Sequence, residues 1–418
     1  MEGGKLMVLF GGRLTRAWLY TAGVGLLATG AAMVVAPNGS AFGLAAGGQE
    51  ATERSRLQRD ADEVAAAGAT GLVVAVDGAD GGHRRARAGE AEVGTGTPVP
   101  WQPYYRIGSD SKTFTSVVLL QLVDEGEVSL SDTVEHWLPG VVAGAGNDGS
   151  RITVENLLRH TSGLANYTDI LFDLETFTPE FYQDDRFTVR SPREQVALAM
   201  TRAPGWLPDA ADPAGETRWS YSNTNYLLAG MIIERITGHT WEREVHERII
   251  EPLGLTRTIS PGSSVYVPEP TAHGYLQFPG EEELTDTTLV VGGGADGGLL
   301  STPSDMNTFL RAVLDGTLLS PERVADLQRT VPAPDFGPGA EYGLGLVSAP
   351  RCGSDEPPLW FHGGTSFGTV SEGAVTADGS AAASAAIFTL RLGDLERQEA
   401  QDEATRAMID HALCDDGR

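Results

Sequence analysis

An α+β fold, an antiparallel β-sheet flanked by helices with an all-helical lobe inserted into it, is predicted by three observations. The continuous apolar run at 71–76 (Gly-Leu-Val-Val-Ala-Val) reads as a buried strand near the front of the chain. Strand-and-turn patterning returns at 342–390. Between about 130 and 290, short helical segments and proline-rich loops show no helix–strand alternation of the βαβ kind. A sheet built from both chain ends, with the helical lobe between them, accommodates all three and leaves a cleft where the lobes meet.

The elements follow in order. Lys5, Arg13 and Arg16 precede an uncharged apolar run at 17–36, which ends at Pro37 with small residues around Gly39, Ser40 and Ala41. Residues 1–41 therefore read as a secretory signal peptide, or, given the length of the run, an uncleaved N-terminal anchor. No cysteine stands beside it for a lipoprotein anchor. Residues 50–418 read as one domain, without internal repeats, beginning with an amphipathic helix at 51–67. The strand at 71–76 runs into a glycine-rich turn at 78–82. Phe114, Val117, Val118, Leu120 and Val123 then recur at helical spacing until Gly126, so a helix starts at about Ser109. An amphipathic helix at 392–413 closes the chain.

Charge and cysteines narrow the functional classes. With 57 acidic against 30 basic residues the net charge is −27, which repels nucleic acid and anionic membrane surfaces and favours solubility. Membrane contact is expected only if the leader is retained. Cys352 and Cys414 are the only cysteines. In an exported protein two can pair, closing a loop of roughly sixty residues for about 4 kcal/mol in the chain-entropy model; two free thiols are the alternative.

Only two of the 30 basic residues are lysines, Lys5 in the leader and Lys112. Wherever a positive charge is merely wanted, the chain uses arginine. An ammonium can lose its proton when buried, whereas a guanidinium cannot, so a lysine at 112 suits a proton acceptor. It completes Ser109-Asp110-Ser111-Lys112 at the helix start, where an i, i+3 pair shares one face. A serine hydroxyl needs a neighbouring base to become a nucleophile, and free N–H groups at a helix start can stabilise an oxyanion.

Two further segments carry chemistry. Tyr221-Ser222-Asn223 sets a phenol and an amide side by side before an apolar helix. A tyrosine near a cationic lysine can be held close to ionisation and shuttle a proton, and an asparagine amide can grip a peptide-like carbonyl. His362-Gly363-Gly364, after Leu359-Trp360-Phe361, reads as a strand whose glycines let a substrate backbone approach.

In order and separation these three elements resemble the serine β-lactamase and penicillin-binding-protein superfamily, in its class C-like branch of D-alanyl-D-alanine carboxypeptidases, class C β-lactamases and related esterases. Tyr105-Arg106-Ile107-Gly108, His160-Thr161-Ser162-Gly163-Leu164, Gly297-Gly298-Leu299-Leu300-Ser301-Thr302 and Tyr342-Gly343-Leu344-Gly345-Leu346 add to the likeness, which runs from about residue 55 to the end. The resemblance implies a β-lactamase/transpeptidase-like fold and a serine hydrolase domain over 50–418. It implies Ser109 as the acylated nucleophile, Lys112 as its base and Tyr221 as the group passing the proton to the leaving atom. Asn223 would orient the acyl substituent, His362 would support the tyrosine, and the N–H groups of Ser109 and Thr365 would form the oxyanion hole, with Gly364 between His362 and Thr365 in the third motif.

One departure bears on substrate. Carboxypeptidase relatives commonly carry a hydroxyl residue where this chain has Gly363, and use it on the substrate's C-terminal carboxylate. Arg351 is a candidate replacement. The preferred expectation is a secreted D-alanyl-D-alanine carboxypeptidase acting through an acyl-enzyme, with β-lactams as pseudo-substrates. Alternatives are an esterase, a D-amino-acid peptidase or amidase, and a penicillin- or muropeptide-binding sensor without turnover. Partners are a small peptide, ester or β-lactam, with no nucleic acid, no cofactor and no metal; the chain is expected to be a monomer.

Other motifs are weaker. Gly364-Thr365-Ser366-Phe367-Gly368 matches the G-x-S-x-G elbow, with Asp394 and His411 following, but reads as strand, turn and strand rather than strand, turn and helix. Gly292 to Gly298 lacks the Lys-Ser/Thr ending of a phosphate loop. His160 is expected to be a satisfied structural histidine.

Overall fold

The computed structural model describes residues 45–353 and 355–414, so the leader expected at 1–41 lies outside the described residues. Helix α1 (Ala45–Ala67) leads into β1 (Gly71–Asp77) and β2 (His83–Gly89). The last third of the chain adds β3 (Val331–Pro332), β4 (Glu341–Tyr342), β5 (Val347–Ala349), β6 (Leu359–Ser366), β7 (Thr369–Val375) and β8 (Ala382–Ile387). These make one eight-stranded sheet in the order β2-β1-β8-β7-β6-β5-β4-β3. Every pairing in it is antiparallel. The two chain ends meet at β1 and β8, where Leu72 faces Ile387 and Asp77 faces Ala382. An antiparallel sheet built from both ends was the expectation, and it holds.

The apolar run of β1 follows from covering on both faces. Leu72, Val74 and Val76 pack with Leu57, Ala61 and Val64 of α1 and with Met408 and Ile409 of α6 (Leu395–Cys414). Val73 points the other way, into the core that contains α5 (Pro303–Leu314). β2, His83-Arg-Arg-Ala-Arg-Ala-Gly89, is a polar edge strand with no hydrophobic signal of its own, and its charged face suits an exposed edge. Cys352 pairs with Cys414, which ties the turn after β5 to the end of α6.

Between the two parts of the sheet, α2 (Ser111–Asp124) is buried nearly all round, as a central helix must be. It packs against α4 (Asn223–Thr237), which Gly238 ends in the left-handed conformation (φ +72). Helices predominate as far as Leu253. Beyond it, Tyr275–Gln277 joins a small sheet with Thr285–Asp286 and Thr389–Arg391, so strands enter the stretch expected to be helical. Among the described residues no helix is long and apolar enough to cross a membrane.

Candidate active site

The N-termini of α2 and α4 converge on the edge of β6. Strand β5 pairs with β6 only over Leu359–Phe361, so residues 362–366 have a strand partner on the β7 side alone. The turn Gly108–Asp110, a 3-10 turn that precedes α2, occupies the open side. Two glycines permit this approach. A Cβ on Gly364 would lie 1.7 Å from the carbonyl oxygen of Ile107, and one on Gly108 (φ +52) would lie 2.8 Å from the amide nitrogen of Thr365. The amides of Ser109 and Thr365 thus share one corner. Gly364 admits the serine turn rather than a substrate backbone.

Ser109 Oγ is bracketed by Lys112 Nζ at 2.9 Å and Tyr221 Oη at 2.8 Å. All three side chains are buried. Lys112 Nζ also donates to the backbone oxygen of Asp296 at 2.6 Å and lies 5.0 Å from the Tyr221 ring centre. Burial pushes the ammonium down to about 7, against the opposing pull of Asp296 and Asp110. Burial drives the Tyr221 phenol well above its ordinary range, further than the Ser109 hydrogen bond lowers it. This runs against the expectation of a tyrosine close to ionisation: desolvation outweighs the Ser109 hydrogen bond and favours the protonated phenol. Next door, burial raises the Asp110 carboxyl to about 8, and its Oδ2 has no hydrogen-bond partner.

A cleft of about 350 Å³ opens over Ser109. Asn223 lines it, its amide donating to the Thr168 hydroxyl at 3.1 Å, and so does Thr365. One wall is aromatic: Phe172, Phe181, Tyr182 and Phe367, carried largely by α3 (Pro179–Asp185) and the β6–β7 turn. Arg186 and Arg190 stand at that wall. Arg190 is held bidentately by Asp185, whereas the Arg186 guanidinium lies over the rings of Tyr182 and Phe187 with no carboxylate within 4 Å among the described residues.

Besides Gly364, which faces the serine turn, two expected substrate-binding residues do not line the cleft. His362 is buried, its Nε2 3.0 Å from the Tyr342 hydroxyl and its ring centre 6.4 Å from that of Tyr221. Arg351 is locked elsewhere, 2.6 Å from Asp410 of α6 and 3.4 Å from Glu372 of β7, and stacked over Phe361. Its charge is already matched, so it does not serve a substrate carboxylate in the cleft. Gly363 leaves space: a Cβ there would meet nothing closer than 3.5 Å, so packing does not forbid a hydroxyl residue.

His160 differs in part from expectation. In a left-handed backbone (φ +60), its Nδ1 faces the Ser222 N–H and the Asn225 amide, but its Nε2 is buried without a partner. Burial and the Lys112 charge hold it neutral. Ser366 sits at the end of β6 and is followed by a turn and β7, so no nucleophile elbow forms; His411 instead contacts Asp60 of α1. His239, Glu244 and Glu247 could converge on a cation, yet Glu244 already binds Arg248 and Glu247 binds Arg243.

The model of the Beta-lactamase family matches residues 29–406. The chain belongs to the Beta-lactamase family. The resemblance and the fold class read from the motifs are thereby borne out. Among curated members of this family, penicillin-binding protein 4 of Amycolatopsis lactamdurans is 28% identical over 56% of this chain and 57% of its own length. The D-alanyl-D-alanine-carboxypeptidase/endopeptidase AmpH of Escherichia coli K12 is 26% identical over 63% of this chain and 62% of its own. The chain therefore spans little more than half the length of such curated relatives. Solved structures align more completely. A D-stereospecific amidohydrolase from Streptomyces sp. superposes with a TM-score of 0.75 at 34% identity, covering 87% of this chain and 99% of that one. A D-amino acid amidase from Ochrobactrum anthropi, complexed with L-phenylalanine amide, gives 0.70 at 26% identity, covering 86% and 98%.

Proposed function

We propose that this chain is a serine amidohydrolase that cleaves the amide bond following a D-amino-acid residue through an acyl-enzyme on Ser109. The observation that carries the reading is the bracketing of Ser109 Oγ by a buried amine and a buried phenol. In its amine form Lys112 takes the Ser109 proton as Oγ attacks the carbonyl carbon. The N–H groups of Ser109 and Thr365 hold the oxyanion. Tyr221, protonated at rest, passes a proton to the leaving nitrogen and is resupplied from Lys112. Water then attacks the ester, Oγ leaves with a proton, and the free acid and the resting serine are restored. Asn223 orients the acyl group.

The choice of amidase over carboxypeptidase rests on three observations. Gly363 supplies no hydroxyl to a carboxylate, Arg351 is engaged with Glu372 and Asp410, and the aromatic wall suits a large apolar acyl side chain. The near-complete alignment with amide-cleaving structures supports the same choice. A carboxypeptidase is the second reading, favoured by the guanidinium of Arg186 at the cleft wall, which has no carboxylate within 4 Å among the described residues. The Cys352–Cys414 pair fits an exported protein.

Two measurements test the proposal. Ser109→Ala should abolish covalent labelling by a fluorophosphonate while Ser366→Ala leaves it intact; the opposite pattern would refute the assignment. Wild-type protein should release ammonia from D-phenylalanine amide faster than it releases D-alanine from a D-Ala-D-Ala peptide, and the reverse order would favour the second reading.

A further inference from the structure

One buried charge near Ser109 has no role in the mechanism above. Asp296 is 95% buried, lines the cleft and belongs to a glycine-rich loop whose Val291 N–H is anchored on the backbone of Arg186. Its carboxylate accepts from the Tyr167 hydroxyl at 2.8 Å and from the Gly294 N–H at 3.2 Å. One donor comes from the helical part of the chain and the other from the carboxylate's own loop, and together they fix its orientation. No lysine, arginine or histidine nitrogen lies within 4 Å of it among the described residues; Lys112 reaches only its backbone oxygen. A buried carboxylate held by neutral donors, with the Lys112 ammonium acting on it only at a distance, is costly, and a ligand cation arriving in contact with it recovers much of that cost.

We propose that Asp296 receives the free α-ammonium of the substrate, so that the enzyme acts on D-amino-acid amides with an unblocked amino terminus and discriminates against N-acylated ones. The inference rests on the amidohydrolase reading and names the end of the substrate that the site recognises. Position agrees with it. The backbone oxygen of Asp296 is 2.6 Å from Lys112 Nζ, which is 2.9 Å from Ser109 Oγ, and the residue lines the cleft over Ser109, so it lies in the space that the amine next to the scissile carbonyl would enter. An ammonium there also repels the charged form of Lys112 and favours the amine that takes the serine proton. An N-acyl group offers no positive charge, and its binding would leave the carboxylate desolvated and unmatched.

The test is binding to the Ser109→Ala protein, which cannot turn its ligands over, followed by calorimetry with D-phenylalanine amide and N-acetyl-D-phenylalanine amide. The free amine should bind roughly tenfold or more tightly than the acetylated ligand, and Asp296→Asn on the same background should bring the two within about twofold. Tyr167→Phe, which removes one donor to the carboxylate, should reduce the preference without erasing it, and decides the matter if the asparagine variant does not fold. Equal binding of both ligands to the Ser109→Ala protein overturns the proposal. So does an equal weakening of both by Asp296→Asn, which would mean that Asp296 acts only through Lys112. Failure of the amidohydrolase reading appears separately, as wild-type protein that hydrolyses neither ligand, while the binding preference still reports on Asp296.

Discussion

Lys112 and Arg351 are both buried cations, one at the start of α2 and the other in the turn after β5, and their surroundings are opposite. Two carboxylates, Glu372 and Asp410, flank Arg351. Lys112 meets a serine hydroxyl and a backbone oxygen, with no carboxylate in contact. A charge so matched stays charged and holds β7 to α6. A charge with no carboxylate in contact, whose burial outweighs the more distant pull of Asp296 and Asp110, is pushed toward losing its proton, to about 7 here. Burial alone does not mark a site; burial without a counter-charge in contact does.

The sharpest way to break this contrast is Lys112→Arg, which puts an unyielding cation where a yielding one stands. The acylation rate should fall by about 10²- to 10⁴-fold, nearly as far as in Lys112→Ala, because the charge survives and the transferable proton does not. Near-normal labelling of Ser109 in the arginine variant would remove the base role. Next comes Gly364→Ala, whose Cβ would collide with the Ile107 carbonyl and push the serine turn from β6. A shift of about 1 Å should cost on the order of 10²-fold in turnover, whereas Gly363→Ala, whose Cβ would make only ordinary contacts, should stay within about threefold of the parent. The smallest effect on acylation belongs to Arg351→Met. It should leave Ser109 labelling within about threefold while lowering stability in urea by up to roughly 3 kcal/mol, since the buried Glu372 and the partly buried Asp410 both lose a cation. A large loss of acylation with unchanged stability would reverse the roles of the two cations.

The parts of this site that were legible in the sequence are those encoded locally. Ser109 and Lys112 announce themselves by spacing at a helix start, and Tyr221 with Asn223 by preceding an apolar helix that does begin at Asn223. The strand 71–76 was legible because both its faces are covered. β2 was not, because an edge strand of His, Arg and Ala has the composition of a loop. Arg351 was misplaced for a related reason: its partners come from β7 and from the far end of α6, and nothing in the neighbouring residues signals them. Asp296 was passed over inside a glycine-rich run that reads as a flexible loop. The signal that could have found it is a lone acid directly before Gly297-Gly298-Leu299, in a loop that must lie against the cleft. The resting state of Tyr221 also escaped local reasoning, since desolvation depends on the whole shell around it.

The most direct measurement on the central claim is the pH dependence of the rate at which Ser109 is acylated by a fluorophosphonate. Only the amine form of Lys112 can accept the serine proton, so the rate should climb with pH, pass half-maximum near 7 and then level off. The same limb should be missing from the residual rate of Lys112→Arg. A rate that is flat from about pH 5 to 9, or an identical limb in the arginine variant, would contradict the claim that this amine relieves Ser109 of its proton.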